Sequence, residues 1–334
     1  MSSSIRYSNF ELLRIIAITM IIGLHYLSPD IGGGLSNIFF PHYNFFVSRF
    51  FESLFIVGVN CFILIMGYFQ IDKSSFKFKK VTNLLVLTLF YSVFFYLIAV
   101  LFKIVPFNLS GTAKAVLPFL FDQYWFVKIY LILYLLSPFI NVGLNGLDEK
   151  SYRILFLIMI LLFSVWPSFL PYAANTDKGY GIITFVMLYS IGAYIKKYYQ
   201  AEYTAKFYLS GYFIFCLIIF AFSLNPSFIG AANVWSYNFI FTMMASVCLF
   251  LFFSKLQFQS KIINYLAGFV FGVYLIHTNP FIGQFIYLKI LRADRYWFSP
   301  LFFLHLIFSV IIIYVYSTAI DIVRLKLFKR FKIC

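Results

Sequence analysis

The chain has 334 residues, of which 63% are hydrophobic, 23% aromatic and only 11% charged, with a net charge of +15. So little polar surface cannot close around an apolar interior of that size in water, which excludes a soluble globular protein and leaves a membrane protein.

An apolar run needs about 20 residues to cross a hydrocarbon core roughly 30 Å thick. Ten such runs occur, near 9–27, 47–70, 81–102, 120–141, 154–170, 180–195, 207–225, 236–254, 262–279 and 300–323. With the N-terminus in the cytoplasm, 18 lysines and arginines fall in inside segments and 6 outside, leaving Arg49 and Lys128 within helices. This positive-inside pattern predicts an all-α bundle of about ten transmembrane helices, both termini cytoplasmic, in the cell membrane. The charge thus reports orientation, and no nucleic-acid partner is expected. No long linker or internal duplication interrupts the chain, so a single membrane domain over 1–334 is expected.

The first run is not a cleaved signal, because Glu11 and Arg14 lie inside it and no small-x-small pattern follows. Its stretch Arg14-Ile-Ile-Ala-Ile-Thr-Met-Ile-Ile-Gly-Leu-His25 holds two polar groups with only apolar or small residues and one threonine between them. On a helix turning about 100° per residue, eleven steps make three turns plus roughly 20°, so Arg14 and His25 share a face, about 16 Å apart along the axis. Glu11 is placed to pair with Arg14. Such a face can line a passage between the two sides of the membrane; equally, Arg14 can be a membrane-edge anchor and His25 an interface histidine. Pro29, Gly32, Gly33, Gly34 and Pro41 then mark a flexible outside loop.

In the second run Arg49 and Glu52 sit three apart near the outer end, and Asn60 lies at depth in Gly58-Val59-Asn60-Cys61-Phe62. Charges at membrane depth face the bundle interior or a water-filled cavity, although an interfacial salt bridge and a helix-to-helix hydrogen bond would also satisfy these residues. The inside loop Lys73-Ser-Ser-Phe-Lys77-Phe-Lys79-Lys80 is the densest internal basic cluster, suited to lipid headgroups or to a phosphorylated ligand. Further on, Tyr124-Trp125-Phe126-Val127-Lys128-Ile129-Tyr130 reads as an aromatic belt with Lys128 one turn inside it, snorkelling or facing a site. Near the C-terminal end, Gly272-Val273-Tyr274-Leu275-Ile276-His277 closes an apolar helix that Pro280 breaks. By the alternation of spans, His277 and His25 both approach the outer half of the membrane. His42 and His305 are read as loop and bundle residues. Cys61, Cys216 and Cys248 fall in apolar runs and Cys334 is terminal, without C-x-x-C spacing, so neither a metal site nor a disulfide framework is expected.

These elements together resemble the acyltransferase-3 family of integral membrane proteins, which O-acetylate bacterial surface glycans. The resemblance is carried by Asn9-Phe-Glu-Leu-Leu-Arg14 with its downstream His25, by Gly58-Val-Asn-Cys-Phe followed by Met66-Gly67-Tyr68-Phe69, by Tyr124-Trp125-Phe126 with Pro138 and Asn141, and by Gly272 to His277, in order along nearly the whole chain. It implies acyl transfer in which Arg14 and His25 are the functional pair. The family's cytosolic R-x-x-R element has Lys77-x-x-Lys80 as its nearest match, which keeps the charge and loses the forked grip of arginine. Some family members carry a fused extracytoplasmic hydrolase-like domain; none is expected in this chain.

On this reading Arg14, Glu11, Lys77 and Lys80 serve acetyl-CoA as donor. His25 and His277 are the catalytic candidates, His25 as general base or as an acylated intermediate. Arg49, Glu52, Asn60, Trp125, Lys128 and Tyr130 line the pore or the acceptor site. The acceptor is a surface glycan or lipid-linked oligosaccharide, membrane lipid surrounds the protein, and no permanently bound cofactor is expected. Rival readings are a glycan transporter or flippase, which also tolerates charges at depth, and a receptor-like or structural membrane protein.

Overall fold

The computed structural model describes residues 6–170, 177–200 and 202–330, so Lys332 and Cys334 lie outside the described residues. Among the described residues every regular element is a helix. In chain order the principal ones are α1 (Ser8–Leu27), α2 (Tyr43–Gln70), α3 (Phe78–Leu101), α4 (Trp125–Asn145), α5 (Glu149–Phe169), α6 (Ile182–Lys197), α7 (Ala205–Leu224), α8 (Ile240–Lys255), α9 (Lys261–His277) and α10 (Phe302–Arg330). Seven of these are long and apolar enough to cross a membrane, whereas α6, α8 and α9 are shorter. Residues 180–195, 236–254 and 262–279, predicted as full spans, therefore form these shorter elements. The shortening of α8 has a local cause. Tyr237 and Asn238 give their carbonyls to Asn60 and Ser164 side chains, at 2.9 Å each, and regular helix resumes only at Ile240. α9 is broken by a 3-10 turn at Ala267–Phe269, around Gly268.

The chain forms two compact units. The first comprises the described residues of Met1–Met20, Arg49–Phe76 and Ile129–Asn264. In it α6 meets the second half of α2 at backbone distance. A Cβ on Gly67 would strike the Tyr189 carbonyl, and one on Gly192 the Leu64 carbonyl, so small residues set the approach, as is usual where lipid offers no hydrophobic drive. Polar side chains then close the backbone groups that irregularities expose. Asn141 donates from Nδ2 to the Gln70 and Lys73 carbonyls (2.7 and 2.8 Å) while its Oδ1 accepts from the Tyr189 hydroxyl at 2.7 Å. Pro138 lacks the N–H that would bond Tyr134, and the freed carbonyl takes the Ser137 hydroxyl at 2.8 Å instead. A π-helical turn at Leu161–Val165 precedes Pro167 in α5, another local departure beside a proline.

The second unit comprises the described residues of Ile21–Ser48, Lys77–Lys128 and Tyr265–Cys334. Here α9 lies against α3 and α10 through a buried polar knot. Asp321 of α10 accepts at Oδ1 from the Tyr91 hydroxyl of α3 and from Nε of Arg324, each at 2.6 Å. Gly272 of α9 covers this carboxylate, and any Cβ there would fall on it. Arg324 also sits 5.0 Å over the Phe328 ring. An acid this buried needs both donors, since an unpaired carboxylate in an apolar interior is far costlier than the pair.

Candidate active site

Both histidines singled out in the sequence lie in the second unit, at the ends of their helices. α1 runs unbroken from Ser8 to Leu27 and carries His25 in its last turn. α9 ends at His277, where the Thr278 hydroxyl bonds back to the Tyr274 carbonyl at 2.7 Å and Pro280 follows. The two rings meet: His25 Nδ1 lies 3.1 Å from His277 Nε2, with centroids 5.1 Å apart and planes at 49°. His277 is fully buried, and His25 is half-buried.

The hydrogen positions follow from the partners. His277 Nδ1 is 2.6 Å from the Val273 carbonyl; a carbonyl oxygen only accepts, so this nitrogen carries the hydrogen and, in the neutral ring, His277 Nε2 is a bare lone pair. His25 Nδ1 must then donate to it. That leaves His25 Nε2 as the acceptor of the pair, on the ring that is not fully enclosed. The order is Val273 carbonyl, His277, His25, with each ring oriented by the group behind it. A ring nitrogen whose imidazole is oriented by a partner that is itself held by a third group has a geometry that suits acid–base chemistry.

The rest of the unit braces these two helix ends. Tyr26, next to His25, donates its hydroxyl to His305 Nδ1 at 2.7 Å, because His305 Nε2–H is committed to the Leu291 carbonyl at 2.9 Å. Tyr296 stacks on His305 with centroids 3.8 Å apart. The Tyr287 hydroxyl bonds the Ile22 carbonyl at 3.1 Å. Beyond His277, Asn279 donates to the Tyr124 hydroxyl at 2.8 Å, and Tyr124 donates to the Leu275 carbonyl at 3.2 Å. Tyr274 stands edge-on to His277 and packs against Tyr124 and Phe126. In the aromatic segment Tyr124 and Phe126, on either side of the half-buried Trp125, touch the helix bearing His277. Lys128 pairs with Asp122 at 2.7 Å. Lys77 and Lys80 are exposed at the start of α3.

The remaining candidates belong to the first unit. Arg14 Nη1 contacts both oxygens of Glu11, at 3.1 and 3.2 Å, and the arginine side chain keeps 37% of its surface exposed. Glu11 therefore orients a guanidinium that retains free donors. Glu52 is buried, with no hydrogen-bond partner for its Oε2 among the described residues, Arg49 is half-buried, and Asn60 holds the Tyr237 carbonyl as a structural link. Tyr130 is half-buried. Among the described residues no group of three His, Cys, Asp or Glu side chains is suited to a metal, and Cys61, Cys216 and Cys248 are free thiols.

Sequence reading missed the Tyr26–His305 bond, the Asn279–Tyr124 bond and the Asp321 knot. The available signals were an acid inside an otherwise apolar helix, at Asp321, and Asn279 beside a helix-breaking proline.

Apolar helices of spanning length and a paired-histidine centre at two helix ends define a multi-pass membrane protein with the makings of acid–base chemistry. A family model described as an acyltransferase domain matches residues 7–318, and the chain belongs to that family, acyltransferase-3. It is therefore an acyltransferase. No curated protein and no solved structure gives a match.

Proposed function

We propose that the chain takes an acetyl group from cytosolic acetyl-CoA and transfers it to a hydroxyl of a surface glycan or lipid-linked oligosaccharide, within ten spans whose two ends face the cytoplasm. The observation that carries this reading is the geometry of the histidine pair, with His25 Nδ1 3.1 Å from His277 Nε2 and His277 Nδ1 2.6 Å from the Val273 carbonyl, from which we infer that His25 Nε2 is the base. In the proposed reaction that lone pair takes the proton of the sugar hydroxyl while its oxygen attacks the thioester carbonyl. The tetrahedral intermediate then collapses, the carbon–sulfur bond breaks, and the proton passes from the imidazolium to the departing thiolate, giving the ester and free coenzyme A. His277 stays neutral throughout, accepting from His25 Nδ1 in both charge states of that ring. Arg14, held by Glu11, offers donors to a donor phosphate. The cell membrane is the expected location, on the positive-inside distribution of Lys and Arg.

The test is consumption of acetyl-CoA by purified protein in the presence of the acceptor glycan, with ester formation on the glycan followed by mass spectrometry. Movement of glycan without ester formation would replace this reading with a flippase.

A further inference from the structure

The first unit contains a cavity that the transfer chemistry above does not use. Its volume is about 620 Å³, inside the range of roughly 300 to 1,000 Å³ typical of small-molecule sites. It opens where four chain segments end together: the start of α1, the end of α2, the end of α6 and the stretch after α8. Aromatic rings form one wall, with Phe10 at 5.2 Å from Tyr68 and 5.1 Å from Phe69, and Tyr7 at 5.7 Å from Phe69. Two lysines, Lys73 and Lys196, also line it, together with the Asp72 carboxylate and the Gln257 amide. Lys196 is held with Nζ 5.0 Å over the Tyr68 ring. The Lys73 turn is held too, because the buried Asn141 side chain binds the carbonyls of Gln70 and Lys73 and is itself fixed by Tyr189.

We infer that this pocket binds a phosphorylated nucleoside, the adenosine bisphosphate end of the acyl-CoA donor. The lining matches such a ligand group by group. Flat rings suit a purine face, two lysines suit phosphates on separate ribose positions, and Asp72 suits the ribose hydroxyls or an exocyclic amine. An anionic lipid headgroup would use the lysines but carries no flat base for the aromatic rings that line the pocket. The lysines that hold the nucleotide are thus Lys73 and Lys196 rather than Lys77 and Lys80. This identification of the ligand rests on the acyl-CoA reading above, and its test is chosen to fail separately.

Full-length protein in phosphatidylcholine nanodiscs is titrated calorimetrically with adenosine 3′,5′-bisphosphate. Saturable binding is expected, weakened about tenfold by Lys73→Gln and about tenfold by Lys196→Gln, as for loss of one charge-assisted contact. Arginine at either position should restore most of it, and inorganic pyrophosphate should bind at least tenfold more weakly. Absence of saturable binding by the parent overturns the inference even if acetyl-CoA is consumed. So do unchanged affinities in both glutamine variants, pyrophosphate binding as tightly as the nucleotide, or displacement of the nucleotide by an equal concentration of glycerophosphoglycerol, the soluble headgroup of phosphatidylglycerol. Lysine-dependent nucleotide binding without acetyl transfer would sustain the pocket and remove the transfer reading instead.

Discussion

At the scale of single residues, the two histidines are hydrogen-bonded to each other, and variants test whether they act as one unit. A positioned base contributes about 10² to 10⁴ in rate, so His25→Ala is expected to lower acyl transfer by that factor while protein level in the membrane is unchanged. His277→Ala removes the acceptor that orients His25 and should cost less. The double variant should be no slower than His25→Ala alone, since residues acting as a unit are strongly non-additive. Turnover of labelled acetyl-CoA by the three variants checks this, and independent multiplicative losses would separate the two rings functionally. Arg14 makes a second prediction. Its guanidinium is only partly engaged by Glu11, so Arg14→Ala should weaken coenzyme A binding by about 1.5 to 3 kcal/mol, the usual worth of a hydrogen bond to a charged group, with Arg14→Lys recovering part. Unaltered affinity in Arg14→Ala, measured by equilibrium titration, would reassign the arginine to anchoring. The Glu11–Arg14 pairing was legible in advance, for a physical reason. Arg14, Glu11 and His25 share one uninterrupted helix, where spacing alone decides which side chains are neighbours. The partner of His25 was not legible in the same way: His277 lies 252 residues away, and no local period encodes a contact between two helices.

At the scale of elements, α9 is placed by what it lacks. Gly272 leaves room for the Asp321 carboxylate, and the same short helix ends five residues later in His277. Gly272→Ala must displace either α9 or the buried acid with its two donors, and overpacking of this kind costs about 1 to 3 kcal/mol. The expected result is a lower unfolding temperature in detergent together with reduced transfer, because His277 moves with the helix. Full thermal stability in that variant would mean that α9 and α10 can part here without loss. The sequence alone places Gly272 in a motif without a reason for it and counts Arg324 as one more inside charge. Both have the same explanation: Asp321, which neither hydropathy nor charge counting brings forward because a single acid hardly alters the mean of a long apolar helix. The shortened α8 was illegible for a similar cause. Its start is set by Asn60 and Ser164 capturing carbonyls across the fold, whereas hydropathy continues smoothly through residues 236–254.

At the scale of the whole molecule, the basic residues constrain orientation more tightly than any single helix does. The cavity lining includes Lys73 and Lys196, and both fall in segments that the positive-inside pattern assigns to the cytoplasm. The loop after α1, with Gly32 to Gly34, falls in a segment assigned outside, and it is tied to its own unit by Trp297 Nε1 donating to the Gly32 carbonyl at 3.1 Å. A reporter inserted at Gly33 and one fused after Cys334 should therefore read as opposite sides, outside and cytoplasmic. The prediction is sensitive to the shorter helices. If α6, α8 and α9 each cross the bilayer, an odd number of crossings separates Gly33 from the C-terminus; if one or all three of them turn back within it, the number becomes even and the reporters agree. Reporters at Lys178 and at Phe228 then locate the disagreement, since the first brackets α6 from its start and the second precedes α8. Cytoplasmic readings at both Gly33 and the C-terminus would overturn the ten-span arrangement, and with it the delivery of a cytosolic acyl group to a hydroxyl on the other side.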